Sequence, residues 1–545
     1  MADLRISDLT DGSPALRGDL VPVSRTAGSA TRRVTASSIA ALAAGVYNVK
    51  DYGAVGDAQG VAGSAINTGT PNLTNAANPW VAADQGKRIT IAGAGAAGAT
   101  LETTILTFVS AGAVTLAANA GTTVASANTH WGTDDTTAVQ AAITAAAGVG
   151  QVYFPRGNYF TGALNLTNTV GIHLQGTGYY GTQLWPHTSG INFLDFTGSQ
   201  QIVLKDLKIG AGSAQSSIPN CAILLAPNSS ATGLDFEGTG VYVIGRWAKA
   251  TVYNFAFPGV IWHTSHLFNY LVQAGARTLL ISNTNEDSLT SAFATILAGT
   301  QQPTYQKYVD CDIEEWVNNG TTITAARAIT LKNVADVQFI GCQIVSQKGT
   351  AYIDLAGTLS GLAWDHCTFE AGGSTTPTFI FSLVSSPSIT GFSLPGNDFN
   401  FATGLLTGAA TVLDPGTGGT QLNFNSDPKN AIAAGATRYI GGNGDGAADL
   451  TVCKYIPVRG ILTQLFVGAN NAPGSGKNYT VIAWIQDGTS SQAITATISG
   501  AAATTAQDIV HYVEVAKFDR VSLHLVTDAG AATVFIGGTL AFLPF

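Results

Sequence analysis

The sequence predicts an all-β chain, most of it a parallel solenoid, followed by an antiparallel sandwich. Three observations carry that expectation. Gly is abundant at 63 residues and only 11% of the chain is charged, with Ala, Thr, Ser and Val recurring throughout, a profile of many short strands joined by turns. At 545 residues the chain exceeds what one ordinary core supports, which favours a repetitive, quasi-one-dimensional build. Finally, from about residue 165 to 425 the chain loosely repeats itself: "LKDLKIG", "YVDCDIEE", "FIGCQIVS", "AWDHCTFE" and "SITGFSLP" share an alternating core.

In order along the chain, residues 1–46 combine short apolar pieces and turns with a brief helix stopped by Gly45, too little to fold alone, and read as a docking arm. Arg17-Gly18-Asp19 within it is most simply a turn. "YNVKDYGAVGD" follows at 47–57, and a small β insertion is expected over about 61–131. In "TDDTTAVQAAITAAAGVGQVYFPRGNYF", Thr133 or Asp134 caps a helix over about 134–147 whose Ala138, Val139, Ala142, Ile143 and Ala146 recur at helical spacing, and Gly148 stops it. "QVYFPRGNYF" is then strand and turn. Cys311, Cys342, Cys367 and Phe392 mark equivalent positions of successive coils and imply an internal stack of thiols. The Pro/Gly/Asn-rich 413–430 is a boundary, which places the solenoid at 47–428 and the sandwich at 429–545, where strand candidates such as "NYTVIAWIQDG" and "RVSLHLVTDAG" alternate with turns.

Composition also excludes function classes. The net charge of −9 comes without any Lys/Arg-rich block, so nucleic acid is not an expected partner. The five Cys contain no CxxC pair, which argues against a zinc site or a disulfide framework; no metal and no cofactor are expected. "MADLRISDLT" lacks a basic and apolar leader, and no apolar run reaches membrane-spanning length, so synthesis in a reducing cytoplasm without membrane insertion is expected. "APGSGKN" lacks the leading Gly and trailing hydroxyl of a phosphate loop, and "NGDGAAD" lacks the alternating ligands of a calcium loop.

The segments 47–57 and 133–160 resemble the N-terminal signature of the pectate-lyase-like right-handed parallel β-helix superfamily, especially the tailspike proteins of tailed bacteriophages. In those relatives the helix covers the open end of the solenoid and the "FPRGNY" strand enters the first coil. This chain departs from them in the roughly seventy-five residues between Asp57 and Asp134. The resemblance implies a trimer with the N-terminal arm attached to phage tail or baseplate proteins, a solenoid meeting host surface polysaccharide (capsule, lipopolysaccharide or exopolysaccharide), and a jelly-roll-like C-terminal module. It implies a location in the virion tail. It does not choose a chemistry, since lyases, hydrolases and non-catalytic spikes share the fold.

The stretch "YVDCDIEEW" concentrates Asp310, Asp312, Glu314 and Glu315 in a chain poor in charge. With Val309, Cys311 and Ile313 pointing inward, alternation sends Tyr308, Asp310, Asp312 and Glu314 outward. Aligning coils by their Cys sets Asp310 beside Gly341 and His366, Asp312 beside Gln343 and Thr368, and Glu314 beside Val345 and Glu370. Asp312, Glu314 and Glu370 are therefore the candidate catalytic carboxylates of an endo-acting glycoside hydrolase. Glu314 and Glu370, two coils apart, suit the separation of an inverting pair, while Asp312 and Glu314 suit a retaining one. Trp316 offers a sugar-stacking face, and Asp310, Gln343 and His366 offer hydrogen bonds to hydroxyl groups. The competing reading is a solvated acidic face.

A second region gathers Asp235, Glu237, Trp247, Trp262, His263 and His266, and Glu286 with Asp287 begins a long turn able to overhang a groove. Two function classes stay open, a polysaccharide depolymerase and a purely adhesive receptor-binding spike. A lyase is less favoured because basic residues to neutralise a uronate are few, and no Ser elbow supports an esterase.

Overall fold

The structure is a computed structural model. It describes residues 20–23 and 32–35 and, with short omissions, 45–283, 303–317, 327–347, 351–394 and most of 404–545. Leu20–Val23 and Arg32–Thr35 pair as an antiparallel hairpin. Beyond them the backbone forms a parallel β-helix in which strands pair in parallel with their equivalents one coil later. Gln200–Lys205, Lys208–Ile209 and Cys221–Leu225 make one such coil. The first and third strands of each coil join a large sheet, and the middle strands form an eight-stranded sheet running from Gly157–Thr161 to Thr368–Ala371.

Period-two alternation explains why this sheet stands. Tyr159, Leu184, Ile209, Val243, Leu267, Ile313, Ile344 and Phe369 occupy one register position in successive strands, and all are fully buried. The opposite sheet stacks Trp262, Tyr308, Phe339 and Trp364 in register. Tyr308 and Phe339 lie 4.9 Å apart and nearly parallel, and Phe339 and Trp364 5.5 Å apart. Gly238 precedes Trp262 in that column, and a Cβ there would meet the indole at 2.3 Å, so only glycine leaves room for the ring. The three thiols Cys311, Cys342 and Cys367 are likewise buried at equivalent positions of successive coils, with Cys342 Sγ donating to Tyr308 O at 3.3 Å.

The helix Thr136–Ala146 closes the N-terminal end, burying Val139, Ala142, Ile143 and Ala146. Asp134 Oδ1 accepts from the Thr136 N–H at 3.0 Å at the start of that helix. Asp135 accepts from Val55 N–H and Gly56 N–H, and Asp57 accepts from Thr133 N–H, so the two signature segments are laced together across the intervening chain. That intervening chain is a closed six-stranded antiparallel barrel spanning Gln59–Ile66 to Val124–Gly132, with its own core around Trp80, Ile89, Ile105 and Trp131. At the other end, two antiparallel sheets enclose a core that includes Leu462, Tyr479, Val481 and Leu523. Ile461 and Tyr512 join this sandwich to the solenoid core.

Candidate active site

The outer face of the eight-stranded sheet brings together residues from distant coils. One outward position reads Gln183, Lys208, Tyr242, His266, Asp312, Gln343 and Thr368 in successive strands. Two residues further along the strands, another reads Ile244, Phe268, Glu314, Val345 and Glu370. A third pairs Tyr270 with Trp316. The coil alignment by Cys thus places Asp312 beside Gln343 and Glu314 two strands from Glu370, roughly 9 to 10 Å between backbones.

Asp312 and Glu314 occupy alternate positions of one strand, and their carboxyls face the same side. Glu314 is pushed up to about 8, chiefly by burial and then by the Asp312 carboxylate, with Glu370 adding to it. The Trp316 indole N–H donates to Glu314 Oε2 at 2.7 Å and opposes that rise without cancelling it. Asp312 Oδ2 lies 3.1 Å from His266 Nδ1, whereas Oδ1 is buried away from any fixed donor and is the place a Glu314 proton can go. At neutral pH Glu314 therefore holds its proton beside the Asp312 carboxyl. Gln343 Nε2 donates to Glu370 Oε2 at 2.9 Å and aims the third carboxylate.

Aromatic rings continue the row. Tyr242 is sandwiched between Tyr179 and His266, each 4.0 Å away and close to parallel, and Tyr180, 78% exposed, leans on Tyr179 at 3.9 Å. Phe268 stacks on Trp316 at 6.1 Å and packs against Tyr270 at 4.6 Å. Half-exposed rings set side by side form a shelf on which sugar rings can lie.

Not every residue of the acidic stretch joins this row. Tyr308, expected to point outward, is fully buried in the aromatic stack. The cause is Asp310, whose φ of 51° makes a corner between the strands Gln306–Val309 and Asp312–Val317 and resets the alternation. Gly341 and His366 hold the same left-handed corner in the next coils, so Asp310 and His366 lie at the edge, away from the carboxylate pair. His366 Nδ1 meets Asp365 Oδ1 there at 2.5 Å. Glu315 is buried and accepts from Ser346 Oγ at 2.6 Å, which ties it to the adjoining coil.

The second region divides between the two faces. Trp247 and Trp262 are core residues, unable to stack on a ligand, and His266 belongs to the row described above. Asp235 and Glu237 border a cavity of about 680 Å³ on the large sheet. Glu286 and Asp287 lie outside the described residues. Sequence reasoning missed Tyr179, Tyr242, Phe268 and Tyr270 as companions of the carboxylates. The alternation in "HLFNYL" carries the signal for the last two, since Leu267 and Leu271 face inward. Among the described residues no group of three or more His, Cys, Asp or Glu is arranged to hold a metal ion, and no helix is long and apolar enough to cross a membrane.

No family model matches this chain, and no curated protein does. Solved structures with a similar fold include full-length tailspike protein 2 from Escherichia coli O157:H7 bacteriophage CAB120, at 13% identity over 98% of this chain and 90% of that one, with a TM-score of 0.33. The tailspike protein gp49 of Acinetobacter baumannii bacteriophage Fri1, a capsular polysaccharide depolymerase, shares 13% identity over 76% and 83% of the two chains, with a TM-score of 0.31. The catalytic unit of an alpha-1,3-glucanase from Streptomyces thermodiastaticus shares 12% identity over 65% and 86%, with a TM-score of 0.26. Likenesses of this size carry no inference to activity.

Proposed function

We propose that the chain is a tailspike-type polysaccharide depolymerase that hydrolyses glycosidic bonds within its polymer, with Glu314 as the proton donor. The observation that carries this reading is the carboxyl pair itself: Glu314, half-buried on an outward face beside Asp312 and bound by Trp316, is placed where burial and its neighbour push its carboxyl up to about 8, as leaving-group protonation requires. Asp312 keeps the proton on Glu314 through its charge, and His266 holds Asp312 in place. Glu370, oriented by Gln343 two coils away, is the base that activates water on the opposite side of the sugar. The backbone spacing of roughly 9 to 10 Å leaves room for a ring and a water between the carboxyls and favours inversion at the anomeric carbon. Trp316, Phe268 and the tyrosine shelf hold sugar rings on either side of the bond. Attachment to a virion through the arm and assembly as a trimer belong to the same proposal.

Release of reducing ends from purified bacterial surface polysaccharides tests it. The wild-type chain is expected to produce them, and Glu314→Gln to lower the rate about 10²- to 10⁴-fold while leaving binding in place. Glu370→Gln is expected to impair turnover comparably, and a product with inverted anomeric configuration is expected by NMR. Glycan bound tightly with no new ends, in wild type and variants alike, would reject hydrolysis and leave an adhesive spike built on the same aromatic shelf.

A further inference from the structure

Lys208 and Arg246 have no carboxylate partner among the described residues. Lys208 occupies the same outward register position as Tyr242, His266 and Asp312 and is only partly exposed. Among the described residues it has neither an ion pair nor a side-chain hydrogen bond. Arg246 closes the strand Tyr242–Gly245 on its C-terminal side; its Nη1 donates to Gln215 O at 2.9 Å, and its buried Nε has no acceptor. By contrast, several half-buried cations elsewhere meet carboxylates. Lys87 meets Asp57 and Asp84, and Arg327 meets Asp354.

Burial lowers the tendency of both Lys208 and Arg246 to stay charged, and no carboxylate among the described residues compensates them. A partly desolvated ammonium without a partner is costly unless a ligand supplies the anion. The carboxyls of Asp312 and Glu370 lie toward the far end of this face, so an anionic polymer would be drawn to the Lys208 end. The shelf of Tyr179, Tyr242 and His266 lies between the two.

We infer, on the basis of the hydrolase reading above, that the polymer is an acidic polysaccharide lying along the solenoid axis, with an anionic sugar substituent, carboxylate or phosphate, held by Lys208. Strands are spaced roughly 4.8 Å apart, so Lys208 stands three strands, or roughly 14 Å, from Asp312. The charged sugar therefore sits several residues away from the bond that breaks. At that distance Lys208 cannot neutralise a uronate at a lyase's reacting carbon, and its role is to set polymer identity and register.

The test uses the full chain and a panel of purified bacterial surface polysaccharides, acidic and neutral, with binding and reducing ends read separately. Acidic polymers are expected to bind, with an affinity that falls as salt rises. Lys208→Met is expected to weaken that binding about tenfold or more, Lys208→Arg to restore most of it, and neither to lower the melting temperature. Chemical reduction of the polymer's carboxyl groups distinguishes the anions: lost binding assigns a carboxylate, and retained but still Lys208-dependent binding assigns a phosphate. Neutral polymers bound and cleaved equally well by wild type and Lys208→Met would overturn the inference while leaving hydrolysis intact. Lys208-dependent binding of an acidic polymer that is never cut would do the reverse.

Discussion

Glu314 illustrates how one side chain ties chemistry to stability. Its carboxyl is held near 8 in the folded chain against an ordinary 4.5, so between those values the folded state binds a proton that the unfolded state has lost. The stability this provides is complete below about 4.5 and disappears as pH rises through about 8. Glu314→Gln carries no proton to lose. Denaturant melts at pH 5 and pH 9 are expected to show the wild type losing on the order of 2 kcal/mol more than the variant, after allowance for partial solvent screening. Equal losses would mean that the carboxyl is ionised at neutral pH, and Glu314 would then be unable to act as the acid. Asp310, four residues earlier, has a different part: its left-handed φ of 51° turns the chain at an exposed corner.

Among the elements, the coil is the unit that transmits order. Phe339 lies between Tyr308 and Trp364, and each strand leans only on its neighbours in the next coils. Phe339→Ala is expected to cost about 3 to 5 kcal/mol. Hydrogen exchange should show protection lost first in Gln306–Val309 and Ala335–Ile340 and last near Gln151–Tyr153. Uniform loss along the whole solenoid would contradict nearest-neighbour coupling. The same locality explains what could be read from sequence. Strand-rich composition and the loose repeats were enough for a repetitive β fold, the segments 47–57 and 133–160 pointed by resemblance to a parallel solenoid, and Cys311, Cys342 and Cys367 fixed which of Asp312, Gln343, Glu314 and Glu370 share a face. The direction of Tyr308 was not legible because a corner residue interrupts the alternation. The companions Tyr179, Tyr242 and His266 were hidden because coils contact at variable sequence separation, and nothing short-range says that a loop tyrosine will stack on a strand two coils later.

On the scale of the whole molecule, the barrel is held to the solenoid close to the N-terminal end of the row that carries the site. His130 Nδ1 lies 2.9 Å from Ser216 Oγ, Thr90 Oγ1 lies 2.6 Å from the same hydroxyl, and Thr100 Oγ1 donates to Ser216 O at 2.6 Å. Ser189 N–H donates to Glu102 Oε1, and the imidazole meets the Trp185 ring edge-on at 5.1 Å. Burial drives His130 down to about 4 from an ordinary 6.5, so the buried ring is neutral. Between those values the unfolded state binds a proton that the folded one refuses. The contact is therefore at full strength above about 6.5 and weakens as pH falls toward about 4. The shift corresponds to roughly 3 kcal/mol. Exchange of barrel amides in Arg88–Ile91 and Val124–Gly132, corrected for the intrinsic pH dependence, is expected to accelerate on acidification in the wild type. It should do so much less in His130→Gln, whose side chain does not titrate. Parallel behaviour of the two proteins would show that the imidazole protonates without opening this interface, and the barrel would then be fastened mainly by the Ser189, Thr90 and Thr100 contacts.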